Sequence, residues 1–131
     1  MFHHPIKNRL GQMLATKAQY EQLVENHEAS VADLTGELET ASPVIKLFTP
    51  DSGATWLISE LDPNTGIMFG LCDLGMGFPE MGSVDLGELL ALRGGFGLPV
   101  ERDRHITLPN VPLSVYASLS HDHIVIPVHN T

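Results

Sequence analysis

The chain has 131 residues, 43% of them hydrophobic, a single cysteine and a formal charge of −9; a chain of this size and composition suits one domain that buries a core without crosslinks. Cys72 alone forms no internal disulfide and supplies too few thiolates for a zinc site, which points to a reducing, cytoplasmic setting. The acidic balance disfavours direct contact with phosphate backbones, and no apolar run has the make-up of a signal peptide or approaches the ~18 residues of a membrane span.

Residues 1–42 read as an N-terminal helical arm. Leu10, Met13, Leu14, Lys17, Tyr20, Leu23, Val24 and His27 recur at three- and four-residue spacing, which predicts an amphipathic helix from Pro5 to Glu28 with Gly11 weakening its first turns. Ala29 and Ser30 relax it. A second helical stretch is expected from Val31 to Glu39, closed by Ser42-Pro43.

Residues 43–131 read as an α+β module. Val44 to Phe48, Ala54 to Leu61 and Ile67 to Leu74 are short apolar or alternating runs separated by TPDSG and DPNTG turns, the pattern of a three-stranded antiparallel meander. The glycine-rich stretch from Gly75 to Gly82 reads as an irregular loop. Ser83 or Asp85 then caps a helix from Leu86 to Arg93, stopped by Gly94 and Gly95, whose leucines pack on the sheet. One or two further strands are expected at Leu98 to Ile106 and His123 to Val128, and one or two helical turns at Leu113 to Leu119. Pro127 confines the last strand to an edge.

Charge is unevenly distributed. From Ala18 to Leu92 thirteen acids stand against Lys46 alone, while the other six bases lie in the first seventeen residues and between Arg93 and Arg104. Such a field attracts basic proteins. Glu60, Asp62, Asp73 and Glu80 are the expected partner-binding acids. Trp56 reads as core, and also as a candidate interface anchor if it stands on an open sheet face.

The segments PVIKLFTPDSGATWLISELDP, FGLCDLGMGFPEMGSV and LRGGFGLPVERD closely resemble domain-of-unknown-function family 2958, over roughly Pro43 to Asp103. The resemblance implies a small soluble protein carried by conjugative plasmids, integrative elements or phages. It implies no activity. The N-terminal arm and the histidine-rich tail beyond Leu119 fall outside it.

No catalytic or metal constellation emerges. His121, Asp122, His123 and His129 carry ligand chemistry, but read more simply as an exposed tail. Cys72 lies in an apolar run with Asp73 adjacent, the setting of a structural thiol rather than a nucleophile. Asp51 and Asp62 sit in turns whose local backbone hydrogen bonds account for them. The glycines of GMGFPEMG and RGGFGLP lack the spacing of a phosphate cradle. Residues 101–104, ERDR, read as a cross-strand ion-pair ladder.

These readings favour a protein with no catalytic residues and no cofactor. The expectation is an acidic binding protein of a mobile element that inhibits a host defence complex, of the anti-CRISPR or antirestriction type, by occluding its basic nucleic-acid surface. One alternative is a small metal-assisted hydrolase using His121, His123 and an acid. Another is a structural or regulatory subunit whose N-terminal helix docks on a partner or on a second copy.

Overall fold

The computed structural model describes residues 1–36, 41–75, 79–106, 108 and 110–115. These residues form an α+β fold. Its five-stranded antiparallel sheet has the order β4-β3-β2-β1-β5, with β1 at Ile45–Phe48, β2 at Thr55–Leu61, β3 at Ile67–Asp73, β4 at Glu80–Asp85 and β5 at Glu101–Arg102. Two helices accompany it, α1 at Lys17–Ala32 and α2 at Leu86–Ala91.

The meander β1-β2-β3 forms where alternation and turn chemistry place it. β4 was not legible as a strand, because Gly82 and Ser83 are weak strand formers; it is held by full pairing with β3, from Ile67 opposite Asp85 to Cys72 opposite Glu80. The expected loop therefore ends before Glu80. Asp85 is the cap of α2, its side chain accepting from the backbone of Gly87 and Glu88, and Leu86 and Leu89 are buried against the sheet. Of the strand expected from Leu98 only Glu101 and Arg102 pair, with Phe48 and Leu47. Residues 113–115 are helical, and the rest of the turns expected to Leu119 lies outside the described residues. The expected strand at His123 to Val128 lies outside the described residues.

The helix of the arm starts later than the apolar spacing suggests. Asn8 accepts from the backbone of Leu10 and Gln12 through its Oδ1, and Gly11 takes a left-handed φ of 81°. Together they turn the chain into a small loop closed by a Lys7–Met13 bridge. Helix begins only at the capping box of Thr16 and Gln19. It runs through Ala29 and Ser30 without a break and stops at Asp33. The expected second helix is absent over residues 33–36, and the rest of that stretch lies outside the described residues.

Alternation along the strands gives the sheet two apolar faces. Leu47, Trp56, Ile58, Leu61 and Met68 pack with Leu14 and Leu23 of the arm and with Leu86 and Leu89 of α2. On the other face Leu57 and Leu71 pack with Leu113 and, partly buried, Phe69 and Met81. One irregularity matters for function. The register between β2 and β3 shifts between Ile58 and Glu60, so that Glu60 lies opposite Phe69 and Leu61 opposite Met68. Strict alternation would have put Glu60 in the core beside Ile58 and Leu61 outside it; the bulge exchanges them.

Candidate functional site

Strand β1 pairs with β2 only as far as Ile58, which leaves the last residues of β2 without a strand on that side. The C-terminal half of α1 covers the gap. Asn26, held by Gln22 at 2.8 Å, donates its side-chain amide to the Ser59 carbonyl at 2.9 Å, replacing a missing ladder bond. Beneath this crossing lies a cleft of about 770 Å³. His27, Ser30 and Val31 form one wall, Glu60 and Asp62 its acidic floor, and Ile67, Met68 and Phe69 an apolar side.

The two carboxylates of the cleft differ. Partial burial raises the Glu60 pKa, and the charge of His27 and a hydrogen bond from Ser30 only partly offset it. Asp62 is held below the usual carboxylate range, chiefly by the Asn64 backbone N–H at 2.9 Å, with the Thr65 hydroxyl and His27 adding to it. His27 Nε2 stands 3.7 Å from Asp62 Oδ2, an ion-pair distance when the ring is protonated. The arrangement offers an ionised carboxylate, a second one biased towards its neutral form, and an apolar wall. It suits a basic group with an aliphatic or aromatic body. Among the described residues no three His, Cys, Asp or Glu side chains are grouped to hold a metal ion, and His121, His123 and His129 lie outside them.

The fold gathers only part of the expected binding set. Glu60 and Asp62 meet in the cleft. Asp73 and Glu80 stand at the opposite end of β3, where Glu80 lies opposite Cys72 and Asp73 Oδ1 accepts the Gly75 N–H at 2.8 Å. Trp56 is 4% exposed inside the core; a side chain so enclosed packs the sheet and offers no surface to a partner.

Other candidate residues also take definite places. Cys72 is half-buried, and desolvation raises its pKa more than a hydrogen bond from Trp56 lowers it, which suppresses the thiolate. Asp51 does not serve its own turn: its Oδ2 accepts the N–H of Phe96 at 2.7 Å and of Leu98 at 3.1 Å, tying the TPDSG turn to the RGGFGLP loop. Within ERDR, Asp103 makes a buried pair with Lys46. Asn26 and Ser30 join the site unexpectedly, and His27 is more than a member of the apolar stripe. The polar residues at that end of the stripe were the available signal.

An α+β protein with a five-stranded antiparallel sheet and a cleft between α1 and the β2-β3 hairpin is the class that the fold and site define. The chain belongs to the family described as proteins of unknown function, DUF2958, whose family model matches residues 14–126. The match extends beyond Pro43 to Asp103 and takes in α1 and most of the tail. No curated protein and no solved structure shows a significant match. Among the described residues no helix is long and apolar enough to cross a membrane.

Proposed function

We propose that this protein is a non-enzymatic, cytoplasmic binding protein of a mobile genetic element, which inhibits a host defence complex of the CRISPR or restriction type by occupying the basic surface where that complex holds nucleic acid. One observation carries the reading. Lys46, the single base among thirteen acids from Ala18 to Leu92, is buried against Asp103, so it contributes no positive charge to the surface of that stretch. A basic channel built for DNA, with ~1 charge per 1.7 Å of axis, is the complementary partner. The cleft with Glu60 and Asp62 would receive a lysine or arginine side chain of that partner.

The test is a plaque assay on bacteria carrying a defined defence system, paired with binding of the purified complex. Expression of the protein should restore phage growth, and DNA should displace the protein from the complex. Binding should weaken with salt, as steered charge contacts do. A protein that binds together with DNA, or that protects no phage from any such system, would overturn the reading.

A second reading, a small hydrolase, is favoured by the raised Glu60 carboxyl beside His27 in the cleft, a pairing suited to general acid catalysis. Turnover of ester, phosphate or glycoside panels that is lost in Glu60→Gln would establish it.

A further inference from the structure

Strand β4 is an outer strand of the sheet, and its free side lacks the features that turn other strands away. It pairs with β3 in unbroken register from Cys72 opposite Glu80 to Ile67 opposite Asp85, with no bulge, and its sequence EMGSVD holds no proline or lysine. Edge strands are ordinarily blunted by such devices. The Leu86 N–H donates to the Gly66 carbonyl at 2.8 Å, so the residues of β4 in phase with Leu86 bond inward to β3 and the alternate ones turn their backbone outward. Met81 and Ser83 therefore present N–H and C=O groups to the free side, without partners among the described residues.

The same strand borders the acidic cleft. Ser83 lies opposite Phe69 in β3 and Phe69 opposite Glu60 in β2, so the three share one face in a row across the sheet, and all three line the cleft. A strand added beside β4 would extend that row by a residue opposite Ser83, three strand spacings from Glu60, about 14 Å at ~4.8 Å each. A lysine or arginine is long enough to cross it. Its stem would lie over the small Ser83 and the Phe69 ring, and its charge would meet the carboxylate. The surrounding charge has the matching sign. From Thr55 to Ala91, the span of β2, β3, β4 and α2, there are six acids and no base. Lys46 is buried against Asp103, Arg93 donates to the Leu90 and Leu92 carbonyls at the end of α2, Arg102 lies on β5 at the far edge, and His27 faces Asp62 across the cleft.

We infer that β4 is the docking edge for an extended basic segment of the partner protein, which joins the sheet antiparallel through the backbone of Met81 and Ser83 and lays a lysine or arginine from the position opposite Ser83 into the cleft at Glu60. The inference rests on the reading of the cleft as a receptor for a basic side chain, and adds how that side chain is presented. Main-chain bonds supply the affinity of such an added strand, and the row of side chains supplies its specificity. A second copy does not fit the edge. Its own β4 holds two acids and no base, so no register puts a positive charge opposite Ser83, and β5, the other edge, is two residues long.

The probe is a short peptide alternating threonine and lysine, titrated into the full chain by calorimetry and followed through the backbone amide spectrum. The peptide should bind and shift the Met81 and Ser83 amides most, and a form N-methylated at its lysine amides should not bind. Ser83→Pro removes an outward N–H and no bond to β3, a change that edge strands tolerate, and should weaken binding about five- to tenfold, as loss of one hydrogen bond does. Glu60→Gln should weaken it about tenfold or more, as loss of a charged contact does. Should Ser83→Pro fail to fold, the N-methylated peptide alone decides. Equal binding of the two peptides, still weakened by Glu60→Gln, overturns the edge pairing and leaves the cleft reading standing. Binding that ignores Glu60→Gln refutes the cleft reading, and a parent peptide that does not bind overturns both. Self-association that Ser83→Pro abolishes would assign the edge to a second copy, and peptide binding that appears only after deletion of residues 116–131 would assign it to the chain itself; either outcome overturns the inference.

Discussion

Lys46 and Asp103 form an ion pair at 3.5 Å with side chains 3% and 0% exposed, and the Asp103 N–H also donates to the Lys46 carbonyl at 2.9 Å. The pair fastens the short edge strand β5 to β1, adding to the two residues of backbone pairing between them. It also takes the one base of the acidic stretch out of the surface field. A single contact thus serves both the fold and the charge pattern on which partner recognition rests.

Breaking that pair should be costly, because removing either partner takes from a buried charge the opposite charge 3.5 Å away. Asp103→Ala is expected to destabilise by about 3–5 kcal/mol, and replacing both residues by apolar ones of similar size should restore much of the loss. Urea unfolding of the two variants decides it. Equal loss in the single and double variants would show that the backbone, not the charge, holds β5.

Trp56 lies in the core between the arm and the sheet. Trp56→Ala should cost about 3–5 kcal/mol as a large-to-small core change. A melting temperature that barely moved would contradict its burial.

Glu60 gives stability a definite pH dependence. Its carboxyl is raised above the ordinary value of 4.5 by desolvation, so the folded state favours the protonated form. That contribution is complete below the ordinary value and is lost as pH rises through the raised one. Glu60→Gln should therefore raise the melting temperature at neutral pH and have little effect at pH values where Glu60 is already protonated. Asp62 runs the other way: its lowered pKa adds stability above its ordinary value that disappears on acidification. Melting curves of both amide variants across acid and neutral pH separate the two signs.

The acids fall into two groups at the two ends of β3, so their neutralisation should not be equivalent. Glu60→Gln with Asp62→Asn is expected to weaken binding of a basic partner by removing the floor of the cleft. Asp73→Asn with Glu80→Gln should mainly slow association, as rim charges do, with a smaller effect on dissociation. Rate constants for the two double variants measure the difference. Equal effects on both rates would place the contact elsewhere.

The arm is part of the core rather than an appendage awaiting a partner, since Leu14 and Leu23 are buried with Trp56, Ile58 and Leu61. Deleting residues 1–32 should uncover that face and leave a protein that aggregates or unfolds. Thr16→Ala should cost about 1 kcal/mol through loss of the helix cap. Slow amide exchange in the middle of α1 is expected in the intact chain.

Much of the fold was legible from local pattern. Alternation between TPDSG and DPNTG sets the meander, Asp85 marks the start of α2, and the spacing of Tyr20 and Leu23 marks the inward face of α1, because each depends on residues within a few positions of one another. The start of α1 was misread because apolar spacing continues through Leu10 and Met13, whereas the Asn8 side chain and Gly11 turn that segment aside. β4 was missed because its own residues favour no strand and only pairing with β3 makes one. Charge counting isolated the acidic stretch, but could not divide it. The bulge that turns Glu60 into the cleft, the approach of His27 to Asp62, the reach of Asp51 to the Phe96 loop and the burial of Lys46 on Asp103 all join residues distant in sequence. Such contacts exist only once the strands have paired in register and the arm has crossed the sheet, and so the tertiary structure alone decided them.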